Sequence, residues 1–368
     1  MIALAKKRLL HVVGYADRGG CETCCAAFIQ SARDFEHTVL VLGKAGPMSG
    51  AWLALGATVV HLEALDSGWW SFRARLSAEL SDAILAGAVV WTGIRIPLVQ
   101  AALAQRRCPV ILHAGNPFAA RWRVRLLLAM GGRFLARPRE LSVIACSEHV
   151  AASYGNAPYF RGLRLEACLN PVEAPTENPH RCRDLGRGEP VRLGMVARLD
   201  GIKDHRTLIH AVDLLRSRWP RAELHLAGDG PLRGALEKLV QELGLTDPVR
   251  FHGSIADVPA FLGQLDVFCF VTTPREGMGN ALAEAMAHGL PCVVNDLPVM
   301  REVAGAPADG AARVVATDPT QISGGIEELL EDADERRRLS EAAWRRAREI
   351  FAPRRVVNRY LKVLKLHA

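Results

Sequence analysis

The sequence lacks any apolar run long enough to cross a membrane. Its strand-like runs, such as Leu9–Val13 and Val267–Val271, fall far short of the roughly 18 residues that a spanning helix needs. The N-terminal residues also lead straight into a strand-like run, without the small-residue cleavage site of a secretory signal. We therefore expect a cytoplasmic protein.

Cysteine and glycine are present without the spacings of common cofactor sites. The nine cysteines are odd in number and scattered through apolar segments, which indicates free thiols rather than a disulfide framework. Cys21, Cys24 and Cys25 form a Cys-x-x-Cys spacing with no second Cys or His pair nearby, so we interpret them as helix-buried thiols and expect no metal. The loop Gly14–Glu22 lacks the G-x-G-x-x-G pattern, which disfavours a nicotinamide or flavin cofactor.

The length and the charge distribution indicate two unlike halves. A chain of 368 residues is more than twice the usual domain size of about 150, so two domains are expected. Residues 1–170 hold 19 Lys and Arg against 11 Asp and Glu, whereas residues 171–368 hold 27 against 28. The basic excess therefore belongs to the first half.

One segment in the first half concentrates this charge. Arg121–Arg139 holds six arginines and no acidic residue, interleaved with Trp122 and other large apolar residues. Such a segment suits an anionic membrane surface or an acceptor, with Arg121, Trp122, Arg123 and Arg125 as candidate contacts. The alternative is a solvated helix that packs its apolar side on the core. No nucleic-acid-binding motif accompanies the charge, so we expect no nucleic acid partner.

Short apolar strands alternate with helical stretches in both halves, which predicts βαβ units on parallel sheets. Residues 170–190 interrupt the pattern with four prolines and many polar residues. We predict an α/β fold with two doubly wound domains facing a cleft, residues 1–172 and 191–352, joined by a linker over 173–190. The predicted strands are Leu9–Val13, Thr38–Leu42, Val59–Leu62, Ala88–Trp91, Val110–His113, Ser142–Ala145, Val191–Val196, Glu223–Ala227, Val249–His252, Val267–Val271, Cys292–Asn295 and Arg313–Ala316.

The stretch Thr272–Pro291 carries the strongest functional signal. A strand runs into a turn with Glu276, Gly277 and Gly279, and a helix with Glu284 follows. Small residues let the backbone approach a ligand, and the first N–H groups of a helix attract an anion. We hypothesise a site for a phosphorylated sugar donor, with one carboxylate at the sugar end and one at the nucleoside end. The alternative is an ordinary βα turn with surface glutamates.

Further candidates follow other predicted strands. Arg198 and Lys203 follow the first strand of the second half, where two cations could neutralise a diphosphate; a solvated basic loop is the alternative. Gly19 and Gly20 form a flexible turn after the first strand, and His113 ends a strand, where such a histidine is commonly satisfied by a nearby loop. Ser147 is interpreted as a helix N-cap.

These residues together resemble the retaining glycosyltransferases of family 4, which have the GT-B fold. The resemblance is specific over residues 191–295 and diffuse in the first half. Its motifs are Gly19-Gly20-x-Glu22, ARLDGIKD, AGDGPL, FHGSI and the Glu-x7-Glu stretch DVFCFVTTPREGMGNALAEAMAHGLPCV, with a closing amphipathic tail.

The resemblance implies roles for these residues. It implies Arg198 and Lys203 on the donor diphosphate, Glu276 near the sugar hydroxyls and Glu284 on the ribose. It also implies His113 near the transferred sugar and a tail over 353–368 that crosses back to the first domain. The remaining implied donor contacts are the Gly19 and Gly20 loop and the backbone amides of Gly277, Met278, Gly279 and Asn280.

The implied activity is metal-independent, retaining transfer of a hexose from a UDP- or GDP-sugar, without a cofactor. The expected acceptor is a lipid-linked or surface-polysaccharide precursor at the inner membrane face. Cys21 and Met278 depart from the family pattern and leave the sugar open. Alternatives are a soluble small-molecule acceptor, a nucleotide-sugar epimerase, or a non-catalytic partner that binds a nucleotide sugar.

Overall fold

The chain divides into two compact units, each of which is an α/β unit around one parallel sheet. The structure, a computed structural model, describes residues 6–80, 84–91, 96–104, 108–118, 139–305 and 310–366. The first unit comprises Met1–Pro171 and Pro353–Ala368, and the second comprises Val172–Ala352.

The described sheet of the first unit has seven parallel strands in the order β3-β2-β1-β4-β5-β6-β7. The strands are β1 Arg8–Val13, β2 Glu36–Val41, β3 Thr58–His61, β4 Gly87–Val90, β5 Val110–Ala114, β6 Leu141–Ala145 and β7 Arg164–Ala167. The helices that accompany them are α1 Gly20–Ser31, α2 Pro47–Ala54, α3 Trp69–Glu79, α4 Ile96–Leu103 and α5 Glu148–Gly155.

The described sheet of the second unit has six parallel strands in the order β10-β9-β8-β11-β12-β13. The strands are β8 Val191–Val196, β9 Ala222–Ala227, β10 Val249–Gly253, β11 Val267–Phe270, β12 Cys292–Asn295 and β13 Arg313–Val315. The helices are α6 His205–Leu215, α7 Arg233–Glu242, α8 Val258–Leu262, α9 Asn280–Ala287, α10 Pro298–Ala304, α11 Pro319–Glu331 and α12 Ala333–Ile350.

Both sheets have the strand order of doubly wound folds, as the alternating pattern predicted. All twelve predicted strands are present with ends shifted by no more than two residues. Strand β7 was missed because its residues, RLEA, form no apolar run. In each sheet the order reverses beside the first strand, at β1 and β4 and at β8 and β11, which is where such folds bind ligands outside the carboxyl ends of the strands.

The last helix, α13 (Pro353–Val363), belongs to the first unit, as the resemblance implied. It is amphipathic, and its apolar face packs on α1. Tyr360 is fully buried there, with its ring edge-on to Phe28 and stacked on Trp91 at a centroid distance of 5.6 Å. The end of the chain therefore completes the core of the unit that contains its beginning.

Residues 173–190, the predicted linker, contain no helix or strand and lie in the second unit. Arg183 donates from Nε and Nη2 to the two carboxylate oxygens of Asp266, at 2.7 and 2.8 Å. Asn178 donates to the Ser340 hydroxyl at 3.1 Å. The segment is thus fixed along one unit by side-chain contacts that its composition did not indicate.

No helix among the described residues is both long and apolar enough to span a bilayer. This finding agrees with the short apolar runs of the sequence.

Arg336, on α12, is only 2% exposed and connects three segments of the second unit. It donates to the terminal carbonyls Leu329 O and Leu330 O of α11 at 2.7 and 2.8 Å, and to Arg183 O at 3.1 Å. The bonds to Leu329 O and Leu330 O satisfy carbonyls of the last helical turn, which have no partner inside their own helix.

We expect Arg336→Met to lower the free energy of unfolding of the second unit by about 2–4 kcal/mol, because it removes charge-assisted hydrogen bonds and leaves buried acceptors unpaired. Urea unfolding followed by circular dichroism measures the change. The matched control is Arg338→Met on the same helix, whose exposed side chain pairs with Glu335 and should cost no more than about 1 kcal/mol. Equal losses in both variants would contradict this account.

Candidate donor-binding site

The turn after β11 is organised around the carboxylate of Glu276. This residue is only 6% exposed. Its Oε1 accepts from the backbone N–H groups of Gly277 and Gly279 at 3.0 and 3.1 Å. Its Oε2 contacts Lys203 Nζ in a close ion pair and lies 3.1 Å from the Thr272 hydroxyl. Glu276 is therefore a buried carboxylate with several hydrogen-bond partners and not a surface glutamate.

The loop that carries Lys203 is joined to this turn through the backbone. Thr273 N–H donates to Ile202 O at 2.9 Å, and Asp204 N–H donates to Val271 O at 3.0 Å. The ammonium of Lys203 also lies 4.7 Å from the centroid of the Phe270 ring, a favourable position for a cation over an aromatic face. The structure thus brings Lys203 and Glu276 together from adjacent strands, β8 and β11.

Gly279 allows α9 to begin directly beside the carboxylate. Its φ is +81°, a left-handed conformation that favours glycine. A Cβ at this position would lie 2.8 Å from Phe270 Cε1, so a larger residue would also clash. The positive end of the α9 dipole consequently points at the Glu276 turn.

The other candidates of this stretch lie on or next to α9. Met278 is buried at 2% exposure, and Asn280 is the first residue of the helix. Glu284 is partly buried about one turn further along the same helix. The interval from Glu276 to Glu284 therefore consists of the turn and one turn of helix, and not of the two helical turns expected from the sequence.

Arg198 lies in the loop after β8 with its side chain 73% exposed. Its Nε is 3.8 Å from Asp200 Oδ2. Two glycines allow the neighbouring loop to approach: a Cβ on Gly228 would lie 1.9 Å from Ala197 O, and one on Gly230 would lie 2.4 Å from Leu199 O. The two glycines of AGDGPL thus allow the close packing of the loop that carries Arg198.

Thr272 and Asn295 support the site and were not identified from the sequence. The fully buried amide of Asn295 accepts from Thr272 N–H at 3.0 Å and donates to Thr272 O at 2.9 Å. It also donates to the Thr317 hydroxyl at 2.9 Å. A polar residue at the end of an otherwise apolar strand was the available signal, since Asn295 closes the strand CVVN.

In the first unit, His113 is the last residue but one of β5 and is buried at 3% exposure. Its Nδ1 lies 2.8 Å from the Tyr360 hydroxyl, whereas its Nε2 has no hydrogen-bond partner among the described residues. A Cβ on Gly115 would be 3.6 Å from that Nε2. Burial lowers the pKa of His113 to about 4, so the imidazole is neutral at physiological pH.

Gly19 and Gly20 are the N-cap and the first residue of α1. A Cβ on Gly19 would meet the Glu22 carboxylate at 2.5 Å, and burial raises the pKa of Glu22. Cys24 and Cys25 are buried free thiols on this helix, as interpreted from the sequence, whereas Cys21 is only partly buried. Among the described residues, no group of three or more His, Cys, Asp or Glu side chains is arranged to hold a metal ion.

The remaining candidates are the Ser147 N-cap and the basic membrane contacts. The Ser147 hydroxyl accepts from Val150 N–H at 3.2 Å, which confirms it as the N-cap of α5. The candidate membrane contacts lie outside the described residues; they are Arg121, Trp122, Arg123 and Arg125.

The fold that contains this site is GT-B. A solved structure of HepE from Anabaena in complex with UDP and glucose superimposes with a TM-score of 0.79 at 19% identity, covering 98% of this chain and 99% of that one. At this identity the likeness concerns the fold alone.

Sequence comparison gives the family. Residues 183–346, which contain the Glu276 turn, match the model of the glycosyl transferases group 1. This stretch of the chain is therefore similar to that family, in agreement with the motifs of the second half.

Curated relatives show similarity over shorter spans. The lipopolysaccharide core biosynthesis glycosyltransferase LpsE of Rhizobium meliloti is 32% identical over 49% of this chain and 51% of the relative. A GDP-mannose-dependent phosphatidylinositol monomannoside mannosyltransferase of Mycobacterium tuberculosis is 29% identical over 40% of each chain. The matches therefore span about half or less of these relatives.

The buried neutral imidazole of His113 has a consequence for stability. The folded-state pKa of about 4 lies below the ordinary value of 6.5, so only the unfolded chain takes up this proton as the pH falls between them. The contribution of His113 is complete above pH 6.5 and is lost as the pH falls towards 4. Between pH 7 and pH 4.5 the free energy of unfolding should fall by about 2–3 kcal/mol less in His113→Gln than in the wild-type protein. Urea unfolding of both proteins at the two pH values measures this; an identical loss would contradict it.

Proposed function

We propose that this chain is a retaining, metal-independent glycosyltransferase that transfers a hexose from a UDP- or GDP-sugar. The observation that carries the proposal is the buried Glu276 carboxylate, held by Lys203 and two backbone N–H groups at the start of α9. This arrangement lies within the residues that match the family. UDP and glucose in the HepE complex and GDP-mannose in the name of the mycobacterial relative support a nucleotide-sugar donor.

The charges of the site suit departure of a nucleoside diphosphate. As the bond from the anomeric carbon to the diphosphate oxygen breaks, negative charge grows on the phosphate oxygens. Arg198, Lys203 and the N-terminus of α9 would stabilise that charge. The acceptor hydroxyl would form its bond to the anomeric carbon on the same face and give its proton to the departing phosphate. Configuration is then retained without a protein nucleophile.

Glu276 connects recognition of the sugar to recognition of the diphosphate. Two N–H groups and the Lys203 ammonium contact this carboxylate. The single proton of the Thr272 hydroxyl has two acceptors within reach, Ile202 O at 2.9 Å and Glu276 Oε2 at 3.1 Å. A sugar hydroxyl would donate to Glu276 when Lys203 turns towards the diphosphate, which is its other anionic partner.

The remaining donor contacts are proposed from the family resemblance. Glu284 would bind the ribose, and His113 would contact the transferred sugar. The Gly19 and Gly20 loop would close over the phosphates. The backbone amides of four residues would contact sugar and phosphate: Gly277, Met278, Gly279 and Asn280. Two of them, the N–H groups of Gly277 and Gly279, donate to Glu276 and would first have to break those hydrogen bonds.

We further propose a lipid-linked or surface-polysaccharide acceptor. The relatives named for lipopolysaccharide core biosynthesis and for phosphatidylinositol monomannoside support it. A soluble small-molecule acceptor is the second candidate, because the acceptor half of the sequence carries few recognisable motifs. An epimerase or a non-catalytic sugar-nucleotide-binding partner fits the two carboxylates and two cations less well.

The donor is tested by incubating the purified protein with a panel of UDP- and GDP-sugars and following nucleoside diphosphate release. One donor of the panel should release it, with or without EDTA. Magnetic resonance of the transfer product should show the anomeric configuration of the donor. An inverted product would overturn retention, and an epimerised nucleotide sugar would favour the epimerase.

We expect Arg198→Ala and Lys203→Ala each to lower kcat by about 10²–10³ with the active donor, because each removes a group that stabilises the leaving charge. Arg198→Ala is the cleaner variant since the side chain is exposed and its loss should leave thermal stability unchanged. Arg218→Ala, which removes an exposed arginine paired with Glu327, is the matched control and should keep full activity. Unchanged turnover in both Arg198→Ala and Lys203→Ala would show that the site is assigned wrongly.

Membrane contact through the basic segment Arg121–Arg139 is proposed from its sequence. Flotation with anionic liposomes should carry the protein upwards, and Arg121→Ser, Arg123→Ser and Arg125→Ser together should abolish this because each removes an attraction of about 1 kcal/mol. The control replaces three exposed arginines of the second unit, Arg218, Arg337 and Arg345, by serine. Failure of the wild-type protein to float would refute the proposal.

A further inference from the structure

His113 and Tyr360 form a buried pair that joins the two separate segments of the first unit. The distance between His113 Nδ1 and the Tyr360 hydroxyl is 2.8 Å, and 247 positions separate the two residues. The phenol ring is fixed between Trp91, on which it stacks, and Phe28, which meets it edge-on. The hydroxyl therefore has a defined position beside the imidazole.

The available hydrogen-bond partners indicate whether the Tyr360 hydroxyl or the His113 ring donates. Among the described residues, His113 Nδ1 is the only partner of the Tyr360 hydroxyl, and His113 Nε2 has none. If Nδ1–H donated, the phenol proton and the Nε2 lone pair would both stay buried and unpaired. If the phenol donates to Nδ1, the ring proton lies on Nε2 and only that donor is unpaired. The second arrangement leaves fewer buried polar groups unsatisfied, and an unsatisfied buried group is costly.

We propose that Tyr360 is a positioning residue that holds His113 in the tautomer protonated at Nε2, so that an N–H donor faces the space beside Gly115. That nitrogen is buried and lies next to Gly115, since a Cβ at position 115 would be 3.6 Å from it. The partner that such a group fits is a neutral or anionic oxygen, such as a sugar hydroxyl. The identity of that oxygen as one of the transferred sugar rests on the proposed function, whereas the tautomer does not.

A nearby series of hydrogen bonds in the first unit also fixes the tautomer of a buried histidine, but all of its groups are paired within the protein. Trp91 Nε1–H donates to His11 Nδ1 at 3.1 Å, which places the His11 proton on Nε2. That nitrogen lies 2.9 Å from His37 Nδ1, and His37 Nε2 lies 2.8 Å from Ala32 O. This series of hydrogen bonds ends on the Ala32 carbonyl, and every ring nitrogen of His11 and His37 has a partner. His113 differs because its last donor, at Nε2, has no protein acceptor among the described residues.

The tautomer can be read directly with histidine labelled with ¹⁵N. Long-range ¹H–¹⁵N correlation spectra distinguish the protonated ring nitrogen from the unprotonated one, and the His113 signals are those absent from His113→Gln. We expect the Nε2-protonated pattern in the wild-type protein. In Tyr360→Phe the population should shift towards the Nδ1-protonated form. An Nδ1-protonated wild type, or a pattern unchanged by Tyr360→Phe, would overturn the proposal.

A matched control separates this effect from general loss of a buried hydroxyl. Tyr159 is buried in the same unit, and its hydroxyl donates to Gln100 Oε1 at 2.5 Å. Tyr159→Phe should leave the His113 tautomer unchanged. Thermal unfolding of both variants shows whether each is folded, and an equal tautomer shift in the control would count against a specific role for Tyr360.

Kinetics with the active donor test the functional part. Tyr360→Phe should lower kcat/KM by about three- to tenfold, the effect of one neutral hydrogen bond, and Tyr159→Phe should not. In the His113→Gln background, where an amide N–H needs no tautomer control, Tyr360→Phe should have no further effect. Full additivity of the two changes would overturn the positioning role. If no nucleotide sugar is turned over at all, the proposed function fails while the tautomer result stands.

Discussion

A carboxylate that is withdrawn from water must be surrounded by donors, and this requirement shapes the second unit. Glu276 takes its donors from the loop after β8, which supplies Lys203, and from the turn after β11, which supplies the N–H groups of Gly277 and Gly279. Leaving a buried charge without partners would cost several kcal/mol. One carboxylate therefore fixes the turn, the loop and the helix start. It also holds the Lys203 ammonium and the N-terminus of α9 in place before any ligand binds.

Strand order explains why these parts meet. In both sheets the chain turns back after its first three strands, so the carboxyl ends of β8 and β11 are neighbours although 70 residues lie between the two strands. The first unit repeats the arrangement, with the start of α1 after β1 and His113 at the end of β5. One architecture thus presents two sets of polar groups with different chemistry, a charged cluster in the second unit and a neutral aromatic one in the first.

The sequence predicted what depends on local pattern and motif. Apolar runs predicted every strand except β7, and the family motifs predicted the GT-B fold. The sequence did not predict the burial of Glu276, because that burial depends on Lys203 from another strand. Asn295 and Tyr360 were missed for the same reason: each acts on a residue far away in the sequence, and neither stands in a motif. Such contacts between residues on different strands and helices depend on the three-dimensional fold and not on a local pattern.

The return of α13 to the first unit has a practical consequence for exchanging parts between related chains. The first unit is assembled from two separate segments, Met1–Pro171 and Pro353–Ala368. A chimera joined only near residue 171 would combine one parent's His113 with the other parent's residue 360. Swapping an intact first unit requires two junctions, one near 171 and one near 352. With a single junction, the imidazole and its phenol partner would come from different parents.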